Sequence, residues 1–423
     1  MKFLKNNIST LLIINTASGF NYLFQVAVAR KLSIEDFGIF NSLNSLVVIL
    51  FAPFSIVAII FSRSAAQLST KSISFIKTLL LTGLKVMAIV GAVAFFCGII
   101  AMPFLKQYLH IPLSLPIIFM LIQWSLSFLV PVTMGILQGL KRFEAFGLGS
   151  GSYSITRLLM GLLFVVVLGW GVNGAILAEV LGTIAIVSLG FWFLRDVMRS
   201  IQKPLEENLW KDMRRFSIPT ALFTTISLLL VNVDIIMVRH FCPDEAGLYA
   251  VASILGKICL FLPATFNYVL FPEAVLANEA GKEGSRFLWI TLGLTLLFAG
   301  GAAFIVYTFP SQVIAILFGI KYQEAAPILQ YICLSMALMA MTNVIATNSM
   351  AYSQFSFLWP LGGGVIICLI LINIFHDSSL QIAQLVFLST SFIAVGVFLN
   401  YFLFENRKIK KILKIHLWVE FEF

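Results

Sequence analysis

Residues 30–40 have the sequence RKLSIEDFGIF, and residues 239–249, at a constant offset of 209, have the related sequence RHFCPDEAGLY. In both copies an apolar stretch ends at an arginine, an acidic pair follows, and a glycine and an aromatic residue open the next apolar stretch. Acidic side chains just before a helix interact favourably with its positive N-terminal end, and the arginine can pair with them across a short turn. The repeat therefore predicts two equivalent helical hairpins, one in each half of the chain.

Long apolar segments surround both copies. Hydrophobic residues make up 60% of the chain and charged residues 11%, whereas a soluble domain carries roughly 25% charged residues. Segments 43–61, 158–169 and 288–307 contain no Lys, Arg, Asp or Glu. A helix of about 20 such residues spans a ~30 Å hydrocarbon core, and irregular backbone is not tolerated facing lipid. The composition excludes a soluble protein and predicts an all-α polytopic membrane protein.

The hydropathy pattern predicts twelve transmembrane helices. The two copies of the repeat lie six spans apart, between spans 1 and 2 and between spans 7 and 8. Because six is an even number, the two halves have the same orientation. This is the parallel-repeat plan of several transporters, in which two bundles are related by an axis along the membrane normal. We expect six-helix bundles at 1–194 and 216–403, a basic cytoplasmic linker at 195–215 and a basic tail at 404–423. The predicted spans are 8–29, 38–62, 77–102, 113–138, 148–168, 173–194, 216–238, 247–271, 286–308, 326–350, 355–375 and 380–403.

Lysine and arginine are distributed asymmetrically across the predicted loops. The side that holds both termini carries 20 of the 28 Lys and Arg residues and the opposite side carries five, with three inside spans. The positive-inside rule then places both termini in the cytoplasm. This topology and anionic headgroups explain the pI of about 9.3, which does not indicate nucleic-acid binding. The basic stretch 407–414 predicts a membrane-surface helix, with a partner-binding helix as the alternative.

Five ionisable side chains lie inside predicted spans. Such groups are expensive at membrane depth unless they face a polar cavity or a partner, so each is a functional hypothesis. Charge pairing between neighbouring helices, for example Lys257 with Asp234, is the open structural alternative. The three cations and two anions would suit an anionic ligand such as a phosphate or pyrophosphate. The five are Lys85, Arg157, Glu179, Asp234 and Lys257.

Polar side chains also recur at helical spacing on three spans. Together they predict a water-accessible cleft, although helix–helix hydrogen bonding remains an alternative for any single residue. The scattered Cys and His residues show no metal-ligand spacing, so no metal or other cofactor is expected. The polar faces are Ser18, Asn21 and Gln25 on span 1, Thr220, Thr224, Ser227 and Asp234 on span 7, and Met336, Met339, Asn343, Thr347 and Met350 on span 10.

The hairpin sequence at 30–40 resembles the span 1–2 signature of bacterial polysaccharide repeat-unit flippases. These are the Wzx-type O-antigen transporters of the multidrug/oligosaccharidyl-lipid/polysaccharide exporter (MOP) superfamily. Residues 137–143 (LQGLKRF) after span 4 and residues 169–175 (GWGVNGA) between spans 5 and 6 are similar to stretches of that family. Asp234 followed by Gly-Leu-Tyr at 247–249 is similar to its span 7–8 region.

This resemblance implies a MATE-like, V-shaped pair of bundles with a cationic central cavity. It implies a flippase of the bacterial inner membrane that moves an undecaprenyl-pyrophosphate-linked oligosaccharide to the outer leaflet by alternating access. The product would be O-antigen, capsule or exopolysaccharide. Coupling to protons or sodium, and partnership with polymerase and chain-length proteins besides membrane lipids, stay open.

The candidate site residues divide by expected role. Those expected to line the cavity are Lys85, Arg157, Lys257, Asn21, Gln25 and Asn343. Those expected to act in coupling or gating are Asp234, Glu179, Arg30 and Arg239.

Two other functions compete with this hypothesis. A multidrug exporter of the same superfamily generally needs an acidic cavity for cationic drugs, which the charges inside the spans do not favour. A polysaccharide polymerase or ligase would be an enzyme, and such enzymes usually carry a long external loop. The predicted external loops are short, so we expect a transporter.

Overall fold

The computed structural model describes residues 2–69, 73–201, 214–263 and 285–405, together with Phe266 and Leu270. Every secondary-structure element in these ranges is helical. The chain divides into two compact units, residues 1–225 and 226–423. This division falls inside the helix at 214–241, whereas the sequence placed the join at the 195–215 linker, so the predicted bundle boundaries stay a prediction.

The described residues of the first unit form ten helices. The segment Leu162–Val167, which directly follows α7, is a π-helix. The helices are α1 (Lys2–Lys31), α2 (Ile34–Phe51), α3 (Ile56–Ser69), α4 (Ile73–Tyr108), α5 (Leu115–Ser127), α6 (Val130–Gly139), α7 (Phe143–Gly161), α8 (Gly171–Phe193), the short α9 (Arg195–Arg199) and α10 (Arg214–Phe241), whose C-terminal part belongs to the second unit.

In its described residues, the second unit continues from α10 through seven further helices. A π-helix at Leu296–Gly300 joins the two halves of one long apolar helix. The helices are α11 (Ala246–Phe261), α12 (Ser285–Thr295), α13 (Gly301–Thr308), α14 (Pro310–Leu317), α15 (Ala326–Ala351), α16 (Leu358–Ile374) and α17 (Ser379–Asn400).

Nine helical stretches of the described chain are long and apolar enough to cross a bilayer. They coincide with predicted spans 2–7, 9, 10 and 12, which confirms a multi-pass membrane protein. Helices α1, α11 and α16 lie at the other three predicted spans. Of these three, α16 is an apolar helix that is shorter than the nine long ones. The total of twelve spans therefore stays a prediction. Part of the linker, residues 202–213, and the basic stretch 407–414 lie outside the described residues.

The two copies of the repeat fold alike but start their second helix differently. Ser33 is the N-cap of α2, and its hydroxyl accepts a hydrogen bond from the Asp36 amide at 3.0 Å. The equivalent position in the second copy is Cys242, whose side chain does not cap the helix. There the chain forms a 3₁₀ turn at Pro243–Glu245 before α11 begins. A serine oxygen satisfies a free helix N–H and a thiol does so poorly, which accounts for the difference.

Close backbone approach fixes the packing of α3 against α6 in the first unit. A Cβ atom on Gly139 would lie 2.2 Å from the Ser62 carbonyl oxygen and 2.8 Å from the Ala65 side chain. A Cβ on Gly135 would lie 2.6 Å from the Ala58 carbonyl oxygen. Small residues at a helix interface allow backbones to approach in this way. The two helices are therefore locked at a distance that only glycine permits.

We predict that Gly139→Ala lowers the stability of the detergent-solubilised protein by about 1–3 kcal/mol, because the new methyl group meets fixed backbone. Thermal unfolding followed by circular dichroism measures the effect. Gly293→Ala is the matched control, since Gly293 is exposed and nothing lies within 4 Å of its added Cβ. Equal melting temperatures for the two variants would contradict the prediction.

Candidate functional site

A buried ion pair between consecutive helices forms the polar centre of the first unit. Nη2 of Arg157, on α7, lies 2.5 Å from Oε1 of Glu179, on α8. The two side chains are only 7% and 3% exposed. An isolated charge at this depth would be very costly, so each group compensates the other. The sequence placed Arg157 in a cavity and Glu179 in coupling, and the structure brings the two into direct contact.

Helix α1 closes the pair from a third side. Nη1 of Arg157 lies 3.3 Å from Oδ1 of Asn21. The guanidinium also lies over the Phe24 ring, 4.1 Å from its centroid, which is a favourable cation–π geometry. Gly161 makes room for this ring, because a Cβ there would lie 2.3 Å from it. These contacts and the Tyr153 ring, whose centroid lies 5.9 Å from the guanidinium carbon, surround the group. Its buried Nε–H has no hydrogen-bond partner in the described structure.

The polar centre of the second unit is built around a buried carboxylate. Asp234, on α10, is fully buried, and its Oδ2 accepts a hydrogen bond from the Tyr249 hydroxyl of α11 at 2.9 Å. Its Oδ1 accepts one from the Ile235 amide at 2.9 Å. Nearby, Nζ of Lys257 donates to Oδ1 of Asn232 at 3.0 Å. The direct Lys257–Asp234 contact that the sequence left open is thus replaced by a bond to a neighbouring amide.

The repeat relates these two centres. Asp234 and Tyr249 are equivalent to Gln25 and Phe40 of the first unit at the offset of 209. Phe40 has no hydroxyl and packs edge-on against Phe24, with ring centroids 5.9 Å apart. The buried Oε1 of Gln25 consequently has no hydrogen-bond partner within the described residues. The same backbone position therefore carries a satisfied carboxylate in one half and an incompletely satisfied amide in the other.

The remaining candidates are dispersed. Lys85 is exposed on α4, beside Val86 and Ile89, which are also exposed, and is not part of the Arg157 centre. Arg30 is exposed, whereas Arg239, its equivalent in the repeat, is fully buried and donates to the Pro243 carbonyl at 2.9 Å. The two arginines therefore have different surroundings despite their equivalent positions.

Asn343 is half-buried on α15. Its Oδ1 lacks a partner among the described residues.

Sequence analysis did not identify which side chains contact the buried charges. Opposite charges on consecutive spans were a usable signal for the contact between Arg157 and Glu179. Phe24 and Tyr249 were missed as site residues because aromatic side chains are abundant in this chain, at 13% of residues. A cation–π or hydroxyl contact depends on helix rotation, which hydropathy does not report.

A second arginine pair lies outside the membrane-spanning segments. The guanidinium of Arg142 contacts both carboxylate oxygens of Asp196 on α9, and Nη1 also donates to the Phe193 carbonyl at 2.8 Å. Hydrogen bonding to Arg142 holds the pKa of Asp196 below its usual value, so the pair stays charged at neutral pH. Lys77 donates to the Ser200 carbonyl at 2.7 Å. These contacts attach both ends of α9 to the first unit.

Residues 3–275 match the family model described as polysaccharide biosynthesis protein. The chain belongs to this family. The matched segment includes Arg157, Glu179, Asp234 and Lys257, which places the polar centres of both units inside it. A comparison with curated protein sequences finds no match.

Solved structures show the same fold at low sequence identity. An inward-facing multidrug resistance MATE family transporter of the MOP superfamily is 13% identical, with a TM-score of 0.78, over 95% of this chain and 96% of that chain. The lipid II flippase MurJ, in an inward closed conformation, is 14% identical, with a TM-score of 0.70, over 93% and 87%. The predicted MATE-like helical fold is thereby confirmed.

A third structure is a MOP superfamily transporter from Pyrococcus furiosus, described as having a binding pocket of reversed polarity. It is 13% identical, with a TM-score of 0.58, over 97% of this chain and 96% of that chain.

We predict that Arg157→Met lowers the free energy of unfolding by about 3–5 kcal/mol, because it leaves the Glu179 carboxylate buried without its cation. The double variant Arg157→Met/Glu179→Met should recover most of that loss. Chemical denaturation in detergent measures both. Asp196→Asn is the control, and at this half-exposed pair the loss should be about 1 kcal/mol or less. A double variant as unstable as the single one would contradict the assignment.

Proposed function

We propose that the protein is a flippase that moves an undecaprenyl-pyrophosphate-linked oligosaccharide repeat unit from the inner to the outer leaflet of the bacterial inner membrane. One observation carries this proposal: a chain of the polysaccharide biosynthesis family has, over 95% of its length, the fold of a MOP superfamily transporter. Polysaccharide synthesis on a lipid carrier needs a step in which the carrier's polar head crosses the bilayer. A transporter fold is suited to that step.

Two basic side chains are available inside the polar centres for an anionic cargo. Arg157 and Lys257 are accompanied there by two acidic residues, Glu179 and Asp234, whereas the third basic residue of the spans, Lys85, is exposed on α4. Guanidinium binds phosphate oxygens through two parallel hydrogen bonds, and ammonium binds them as a point charge. We assign Arg157 and Lys257 to the pyrophosphate of the cargo, and Asn21, Gln25 and Asn343 to polar contacts with its head.

Asp234 is the candidate for ion coupling. Its carboxylate is fully buried and, within the described residues, accepts hydrogen bonds from the Tyr249 hydroxyl and the backbone amide of the next residue. The charge of Lys257 is near enough to interact with it electrostatically. A buried carboxylate of this kind changes its surroundings when it takes up a proton or a sodium ion. We propose that this change biases the conformation of the second unit, with Arg239 and Arg30 acting at the turns of the two hairpins.

The same proposal places both termini in the cytoplasm, from the distribution of basic residues. In this proposal the transported repeat unit is used for O-antigen, capsule or exopolysaccharide synthesis, and the flippase acts with polymerase and chain-length proteins.

A multidrug exporter is the second candidate, because the MATE structure that shares the fold is a multidrug resistance transporter. Cationic drugs would need a net acidic site, whereas the acidic residues of the two polar centres, Glu179 and Asp234, are matched by Arg157 and Lys257. A drug-efflux assay in cells that express the protein separates the two functions.

We predict that vesicles containing the purified protein translocate undecaprenyl-pyrophosphate-linked oligosaccharide, measured by the access of an external glycosidase to the sugar. Arg157→Ala and Lys257→Ala should each lower the rate at least about tenfold, since a charged contact to phosphate contributes about 1.5–3 kcal/mol. Asp196→Asn, which affects the exposed pair only, is the matched control. Full translocation by correctly inserted Arg157→Ala and Lys257→Ala proteins would refute the assignment of these residues.

We also predict that Asp234→Asn abolishes the dependence of translocation on an imposed proton or sodium gradient. The asparagine amide is neutral, so it neither takes up and releases a proton like a carboxylate nor attracts a sodium ion by its charge. The measurement compares rates with and without each gradient. Ser227→Ala, on the same helix, is the control and should keep the gradient dependence. A gradient dependence that survives in Asp234→Asn would exclude this carboxylate as the coupling group.

A further inference from the structure

The Arg157–Glu179 contact is geometrically incomplete, and the exposed pair of the same unit shows the difference. In the Arg142–Asp196 pair, two guanidinium nitrogens bind the two carboxylate oxygens, and a backbone carbonyl takes a further hydrogen bond. In the buried pair only Nη2 binds Glu179. Nη1 makes a longer contact of 3.3 Å to an amide oxygen, and the Nε–H has no partner in the described structure.

Stability alone does not account for such a pair. Burial removes both charges from water, and replacing a buried pair by apolar side chains is often neutral or stabilising. A buried network that leaves a donor unpaired is less favourable still. The open Nε–H belongs to a side chain that is only 7% exposed. On the guanidinium edge formed by Nε and Nη2, Nη2 therefore has an acceptor and Nε has none in the described structure.

A phosphate group matches that edge better than Glu179 does. The planar guanidinium presents parallel N–H groups that accept two oxygens of one phosphate. Its position is fixed in advance by the Phe24 ring at 4.1 Å, which itself fills the space left by Gly161. Preorganised donors of this kind reduce the cost of binding. An incoming diphosphate could take the open Nε–H first and then replace the carboxylate at Nη2.

The helix that carries Arg157 has a segment able to adjust. A π-helix, Leu162–Val167, begins one residue after Gly161 and interrupts the α-helical hydrogen bonding. Such segments often occur at functional sites. Rotation of α7 relative to α8 would separate Arg157 from Glu179 without breaking the bundle apart.

We infer that Glu179 is a resident counter-anion, which the diphosphate of the cargo displaces from Arg157 and which returns when the cargo leaves. This rests on the proposed function and adds to it a role for Glu179. In the empty protein the carboxylate keeps the buried cation compensated. During release it competes with the phosphate for the guanidinium, so the cargo need not leave an unpaired charge behind.

Binding of undecaprenyl pyrophosphate without sugar, measured in nanodiscs by native mass spectrometry, tests this inference. Glu179→Gln removes the competing charge and should tighten binding about tenfold, the gain expected if the wild-type pair is closed about nine-tenths of the time. The same variant should translocate more slowly, because release is no longer assisted. Glu179→Asp keeps the negative charge on a side chain one methylene shorter and should bind with an affinity between those of the wild type and Glu179→Gln. It tests the inference if Glu179→Gln does not fold.

Two further variants separate competition from a structural role. Arg157→Gln/Glu179→Gln should not bind undecaprenyl pyrophosphate more tightly than the wild type, because the cation for which phosphate and carboxylate compete is absent. Asp196→Asn should bind like the wild type. Unchanged or weaker binding by both Glu179→Gln and Glu179→Asp would overturn the inference while leaving a translocating flippase intact. Absence of undecaprenyl pyrophosphate binding and of translocation in the wild type would instead overturn the proposed function, and the inference with it.

Discussion

A charge buried in a helical membrane bundle must be compensated by another group, and this requirement organises both units. Arg157 is compensated by Glu179 and by the face of Phe24, and Asp234 by the Tyr249 hydroxyl and a backbone amide. Each set of contacts joins at least two helices, so the polar groups also determine how those helices are rotated about their axes. Apolar packing sets how closely the helices approach, as at Gly139, but does not by itself select a rotation.

The architecture was largely predictable from the sequence because hydropathy and helix length have a direct physical meaning in a bilayer. Nine predicted spans coincide with long apolar helices, and the 30–40 and 239–249 segments form the expected hairpins. Hydropathy predicted full spans at α11 and α16, whereas the described helices there have 16 and 17 residues, at the lower limit for crossing a bilayer. The π-helix after α7 had no signal in the hydropathy pattern.

The sequence indicated the charged members of the two polar centres and Asn21, which contacts Arg157, but not their aromatic members. The cost of burial singles out Arg157, Glu179, Asp234 and Lys257 from sequence alone, since each interrupts an apolar run. Their partners depend on side-chain direction, which a depth estimate does not supply. Lys257 shows this, because its amino group bonds to Asn232, two residues before the carboxylate that the sequence suggested. Lys85 shows the opposite case, a charge inside an apolar run that lies on an exposed helix face.

The repeat also means that the two hairpins are alike in backbone and unlike in charge. Gln25 and Asp234 occupy equivalent positions, as do Phe40 and Tyr249, yet only Tyr249 and Asp234 are joined by a hydrogen bond. An arginine centre lies beside the first hairpin, and a carboxylate centre lies within the second. Exchanging one hairpin sequence for the other would therefore keep the helix–turn–helix backbone and change the buried charge.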